Sequence, residues 1–127
     1  MSSDPLVYRA HADVIVQTAA EKLRELLRTV VSEIDPFPPF PGAMFSYGIE
    51  IEPSGADRGC IVLAEDGELY ELHMGLDVEQ IASSNLLAMR DEQRSPLDDI
   101  PPADYVSYAQ RAVIAAVAHL MEQQADT

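Results

Sequence analysis

The chain has 127 residues, of which 22 are acidic and 8 basic, for a formal net charge of −14 at pH 7. That length suits one domain, and an apolar fraction of 47% supplies an ordinary core, so the chain is expected to fold despite its charge. The acidity speaks against nucleic acid, which demands clustered Lys and Arg for counterion release, and against docking on an anionic membrane.

No run approaches the ~18 apolar residues of a membrane-spanning helix. Met1 to Pro5 is polar, with no charged segment leading into an apolar one, so no secretory signal is read. Cys60 is the only cysteine, which leaves no intrachain disulfide. A cytoplasmic location is the simplest expectation.

The first element is a helix ending at Ile34. Val16, Ala20, Leu23, Leu27, Val30 and Ile34 recur at steps of three and four, the spacing of one helix face. Two starts are open: Asp13 as N-cap, or Asp4 with Pro5 at the first helical position. A break near Ala12–Asp13 is favoured. Residues 35–43 (Asp35-Pro36-Phe37-Pro38-Pro39-Phe40-Pro41-Gly42-Ala43) follow as a proline-rich connector, because proline lacks the backbone donor and fixes φ. Its phenylalanines are expected to tuck onto the core.

Three strand-like runs come next. Phe45, Tyr47, Ile49 and Ile51 alternate with Ser46, Gly48, Glu50 and Glu52. Cys60 to Ala64 is apolar on both faces, as a middle strand would be. Glu65-Asp66-Gly67-Glu68 then turns, since Asp-Gly between apolar runs is a strong hairpin signal. Leu69 to Met74 completes an antiparallel meander. Asp77 with Gln80 forms a capping box for a second helix carrying Val78, Ile81, Leu86 and Met89. Asp91 to Asp99 is polar, contains Pro96 and reads as a loop. The last helix opens at Pro101-Pro102 and runs to about Gln124. Val106, Ala109, Val113, Ala116, Val117, Leu120 and Met121 form its expected buried stripe.

The expected architecture is one α+β domain, residues 1–127, of two layers. A three-stranded antiparallel meander carries long N- and C-terminal helices in the order α-β-β-β-α-α. A middle strand apolar on both sides has one face too many for a single helix layer. Either helices cover both faces or a second subunit covers one, and a homo-oligomer is the expectation. In size, acidity and opening helix–three-strand order the chain is similar to bacterial secretion-chaperone-like domains, a likeness of layout that no motif carries.

Motifs for nucleotide cradling, zincin chemistry, zinc fingers and the nucleophile elbow are all absent from the sequence. Glu50, Glu71 and His73 are the candidate metal set, read as projecting from the less apolar sheet face. Across a plain meander Glu50 and Glu71 lie ~10 Å apart, so one ion would need another donor between them. Charges that keep a sheet edge soluble are the plainer reading of all three. Cys60 is read as a small buried hydrophobe, and His11, Asp13 and His119 as surface residues. Phe45, Tyr47, Tyr70 and Met74 would line a pocket between sheet and helices.

These features point first to a non-enzymatic acidic adaptor or chaperone-like protein, homo-oligomeric, meeting a partner of basic or apolar surface. A small-molecule binding or sensor domain is the alternative, and a metal-dependent hydrolase is further off. No cofactor is expected. The charge is uneven: residues 1–34 carry net −1, 35–76 net −7, 77–104 net −5 and 105–127 net −1. The terminal helices are thus near neutral, which leaves them available for self-association, while the sheet and loops carry the acid.

Overall fold

The computed structural model describes residues 4–39, 48–53, 59–76 and 90–125, with 74–76 and 90–93 described in their backbone only. Its elements are α1 (Pro5–Ser32), β1 (Ile49–Glu52), β2 (Cys60–Leu63), β3 (Leu69–Leu76), β4 (Arg90–Pro96) and α2 (Pro102–Ala125). The four strands form one antiparallel sheet in the order β1-β2-β3-β4. The α+β class and the flanking helices are as the sequence implies.

The fourth strand corrects the reading of Asp91–Asp99 as a loop. Its residues alternate no apolar face, so periodicity is silent there. Pairing with the long β3 supplies what the side chains do not: Leu72 meets Arg94, Glu71 meets Ser95 and Tyr70 meets Pro96. Pro96 is tolerated as the last residue of an edge strand, where a missing donor costs no ladder bond. The helix expected from Asp77 to Met89 lies outside the described residues, as do Phe40 to Tyr47.

Helix α1 begins at Asp4, whose carboxylate accepts from the Leu6 N–H at 3.0 Å with Pro5 in the first turn. It is continuous for 28 residues, about 42 Å at 1.5 Å per residue, with no break at Ala12–Asp13. Every residue there is helix-compatible, and an exposed helix needs no partner to stay in register with its own C-terminal half. The helix ends before Pro36, and Phe37 in the connector packs on the core as expected.

Both helices cover one sheet face. Leu27, Val30 and Val31 of α1, with Ile34 just past its end, meet Ile61, Leu63 and Leu69 of the sheet and Tyr105, Ala109, Ala112 and Ala116 of α2. Fully burying an aliphatic such as Leu27 or Leu63 stabilises by roughly 1.5–3 kcal/mol. Arg24 of α1 stacks on Tyr105 near the start of α2. At the other end the Asp35 N–H donates to Gln123 Oε1 (3.3 Å) and Gln123 Nε2 donates to the Pro36 carbonyl (2.9 Å). These contacts set the two helices running in the same direction.

The buried stripe of α2 differs from the expected one. Tyr105, Ala109, Ala112 and Ala116 are buried, while Val106, Val113 and Leu120 are half-buried and Val117 and Met121 are exposed. The alanines face inward because a helix with no side chain beyond Cβ can lie close to its neighbours. Ile114, Val117 and Met121 then point away, while Tyr108, Val113 and Leu120 pack at the flanks of the core. On the opposite sheet face Val62 and Leu72 are each 1% exposed, with Cys60 and Tyr70 packed beside them. Val62 and Leu72 are thus closed to solvent within the single chain, while Tyr70 is half-buried and Glu50 on the same face is exposed.

A bulge between Glu50 and Glu52 shifts β1 by one residue, so Glu52 lies opposite Ile61 on the helix side. There it reaches Arg111 of α2 at 3.6 Å. The β2–β3 turn closes with the Gly67 N–H donating to the Ala64 carbonyl and the Ala64 N–H to the Glu68 carbonyl, both 3.0 Å. Gly67 adopts φ +82°, and a Cβ built there would sit 2.8 Å from the Arg28 Cα. Gly67→Ala combines left-handed strain with a backbone clash against α1. Urea unfolding should show a loss of about 2 kcal/mol or more, above the ~1 kcal/mol of φ strain alone.

Candidate functional site

The turn between β2 and β3 meets α1 and the start of α2 at a polar junction. Arg24 and Arg28, one helical turn apart, both reach Glu68. Arg28 donates through Nε and Nη2 to Glu68 Oε1 at 3.0 and 2.7 Å, and Arg24 Nε lies 3.5 Å from Oε2. One carboxylate between two guanidiniums leaves the group locally positive in an acidic chain. The hydrogen bond and charge of Glu68 hold the Arg28 guanidinium still more firmly protonated.

Beneath them lies Tyr105, only 4% exposed, with the Arg24 guanidinium 4.9 Å from its ring centroid. Burial pushes the Tyr105 phenol above its usual range, and Arg24 offsets part of that. The Tyr105 hydroxyl and Arg24 Nε are both closed to solvent and make no short hydrogen bond among the described residues, Arg24 lying beside the hydroxyl and Glu68 beside Nε. A cleft of about 170 Å³ opens beside them, walled by α1, the start of α2 and Leu97, Asp98 and Ile100. A second recess of about 220 Å³, lined by Arg28, Glu68 and Tyr70, shares Arg24, Leu97 and Asp98 with it.

The same turn is pinned on its far side. Tyr70 donates to Asp66 Oδ2 at 2.5 Å, and Arg94 lies 4.4 Å from the Tyr70 ring centroid. Arg94 Nη1 also stands 3.4 Å from Glu65. Each acidic side chain of the turn, Glu65, Asp66 and Glu68, therefore has a partner. The bond to Asp66, with partial burial, pushes the Tyr70 phenol up to about 12.

The register sets Glu50 beside Val62 and Tyr70 on one sheet face, and Glu71 beside Ile61 on the other. Alternation alone had grouped Glu50 with Glu71 and His73. Glu71 and His73 do meet, with His73 Nε2 2.7 Å from Glu71 Oε1, but Glu50 faces away from them. Among the described residues no group of three His, Cys, Asp or Glu side chains is set to hold a metal. Tyr70 is half-buried against Cys60, Val62 and Leu72. Phe45 and Tyr47 lie outside the described residues, and Met74 is described in backbone only. Cys60 is buried, His11 and Asp13 are exposed on α1, and His119 is half-buried on α2.

Arg24 and Tyr105 escaped the sequence reading. The signal that could have found Tyr105 is the run 105-109-112-116 at helical spacing, masked because three of its four members are alanines. Arg24 carried no signal beyond charge on a helix flank.

The Tyr70 shift has a signed consequence. The phenol is protonated more tightly in the folded state than at the ordinary value near 10. Its contribution to stability is present in full below pH 10 and is lost as pH rises from 10 toward 12. A difference titration of tyrosinate absorbance, wild type minus Tyr70→Phe, should show one phenol ionising near pH 12, and Asp66→Ala should bring it down toward 10.

Compared with protein-family models, with curated proteins and with solved structures, the chain matches none. Residues and geometry alone carry the functional reading.

Proposed function

We propose that this is a non-enzymatic adaptor or chaperone-like protein that works as a homo-oligomer, two copies pairing through the first half of α1. The observation that carries the reading is that every residue from Pro5 to Ile15 is exposed, although the segment holds Leu6, Val7, Tyr8, Val14 and Ile15. Tyr8 is 67% and Ile15 58% exposed. This stretch, about 16 Å of helix, begins before α2 does and has no tertiary partner among the described residues.

Three features favour a second copy as its occupant. Tyr8, Ala12, Ile15 and Ala19 fall at steps of four, three and four, the spacing of a helix-pairing seam. Its alanines permit close approach, and its larger side chains gain roughly 1.5–3 kcal/mol each if fully buried. Residues 1–34 carry only −1 of the total −14, so two copies meeting here avoid the repulsion of their acidic sheets. A self-complementary helix contact is also the ordinary geometry of a two-fold dimer. The outer face of α2, with Ile114, Val117 and Met121 exposed, supplies a further apolar surface for a client or adaptor partner.

Among the described residues no helix is long and apolar enough to cross a membrane, so a membrane span does not explain these apolar faces. Sedimentation equilibrium should return a dimer for the wild-type chain. The double variant Tyr8→Glu/Ile15→Glu should sediment as a monomer and keep its helical circular dichroism. A wild-type chain that stays monomeric at the highest soluble concentration overturns the reading.

A further inference from the structure

We propose that the two copies pair through α1 in antiparallel, with Leu26 of each helix set against Tyr8 of the other. This rests on the dimer reading above and adds the direction and register of the contact.

The seam is longer than the first half of α1. Tyr8, Ala12, Ile15 and Ala19 are followed by Lys22 and Leu26, so the alternating steps of four and three continue. Leu26 is 44% exposed, although its neighbour Leu27 is fully buried. All of these residues are exposed except Ala19, which is half-buried. From Tyr8 to Leu26 the seam therefore runs outside the core for about 27 Å of helix.

What meets across the seam decides the direction. In a parallel, in-register pair each residue meets its own copy. Lys22 then faces the partner's Lys22, a like-charge contact. Ala12 and Ala19 face alanines, which leaves gaps beside the larger layers of Tyr8 and Ile15. In an antiparallel pair centred on Gln17, Ile15 meets the partner's Ala19 and Lys22 meets the partner's Ala12. The two inner layers then set a large side chain against a small one. The stem of Lys22 lies over alanine while its ammonium reaches water. Tyr8 and the partner's Leu26 close each end as an apolar pair. A parallel pair would gain Asp4 against the partner's Arg9, but an exposed ion pair contributes little and Asp4 already caps the Leu6 N–H.

The charge of the whole chain favours the same direction. The sheet packs on the last turns of α1, at Leu27, Val30 and Val31, and residues 35–76 carry net −7. A parallel pair sets the two acidic sheets at one level. An antiparallel pair centred on Gln17 sets the two copies of Val30 about 39 Å apart along the helix axis at 1.5 Å per residue. That is several times the ~8 Å Debye length in physiological salt, so the sheets hardly sense each other.

Distances between nitroxide labels, read by pulsed electron resonance on samples whose dimer is confirmed by sedimentation, test this. Thr18→Cys and Thr29→Cys, both exposed on α1, each carry one label, with the unsubstituted chain and its buried Cys60 as the blank. The two Thr18 labels should lie within about 20 Å, two helix diameters, and the two Thr29 labels about 36 Å apart along the axis. Short distances at both positions overturn the antiparallel direction and leave the dimer standing. A dimer whose Thr18 labels are the distant pair overturns the seam. A chain that sediments as a monomer overturns the dimer reading and this inference with it.

Discussion

The close approach permitted by three alanines organises this protein. Ala109, Ala112 and Ala116 are fully buried on α2 and place that helix against α1 and β1. Interiors pack near crystal density, so a larger residue at these positions would push the layers apart. The consequence runs outward. Once the alanine face points in, helical geometry turns Ile114, Val117 and Met121 toward solvent. The apolar surface on α2 follows from how the core was built.

A second constraint acts at the β2–β3 turn. Gly67 lies so near Arg28 that only a residue without Cβ fits. That approach brings Glu68 between Arg24 and Arg28. Arg24, held there, reaches over Tyr105, so one tight turn positions both the arginine pair and the wall of the cleft. Exposed ion pairs contribute little to stability by themselves, and the apolar packing around Leu27 and Leu69 carries this junction.

The turn also changes what the acidity means. Glu65, Asp66 and Glu68 each have a named partner, and Glu52 meets Arg111. Part of the charge on the sheet segment is therefore internal bracing rather than free field. The near-neutral helices remain the surfaces on which apolar contact meets least electrostatic opposition.

Local chemistry alone determined the long elements and their punctuation. The Asp-Gly turn and the Pro102 start of α2 were legible because turns and prolines act within a few residues, whereas Asp4-Pro5 was only one of two open starts for α1 and the break favoured near Ala12–Asp13 is absent. The Leu27–Val30–Ile34 face was legible because large apolar residues repeat at helical spacing. Tertiary structure decided the rest. Strand β4 exists because β3 offers it a hydrogen-bonding edge, a reason that lies in another segment. The register of β1, β2 and β3 puts Glu50 and Glu71 on opposite faces, and the bulge after Glu50 carries Glu52 to the helix side; a one-residue shift in register reverses every side chain. The alanine stripe of α2 stayed hidden because an alanine face yields no hydrophobic contrast, although it fits best where backbones approach. The Arg24–Tyr105 cleft joins residues 81 positions apart. No local pattern could join them; the packing of two helices running in the same direction against one turn does.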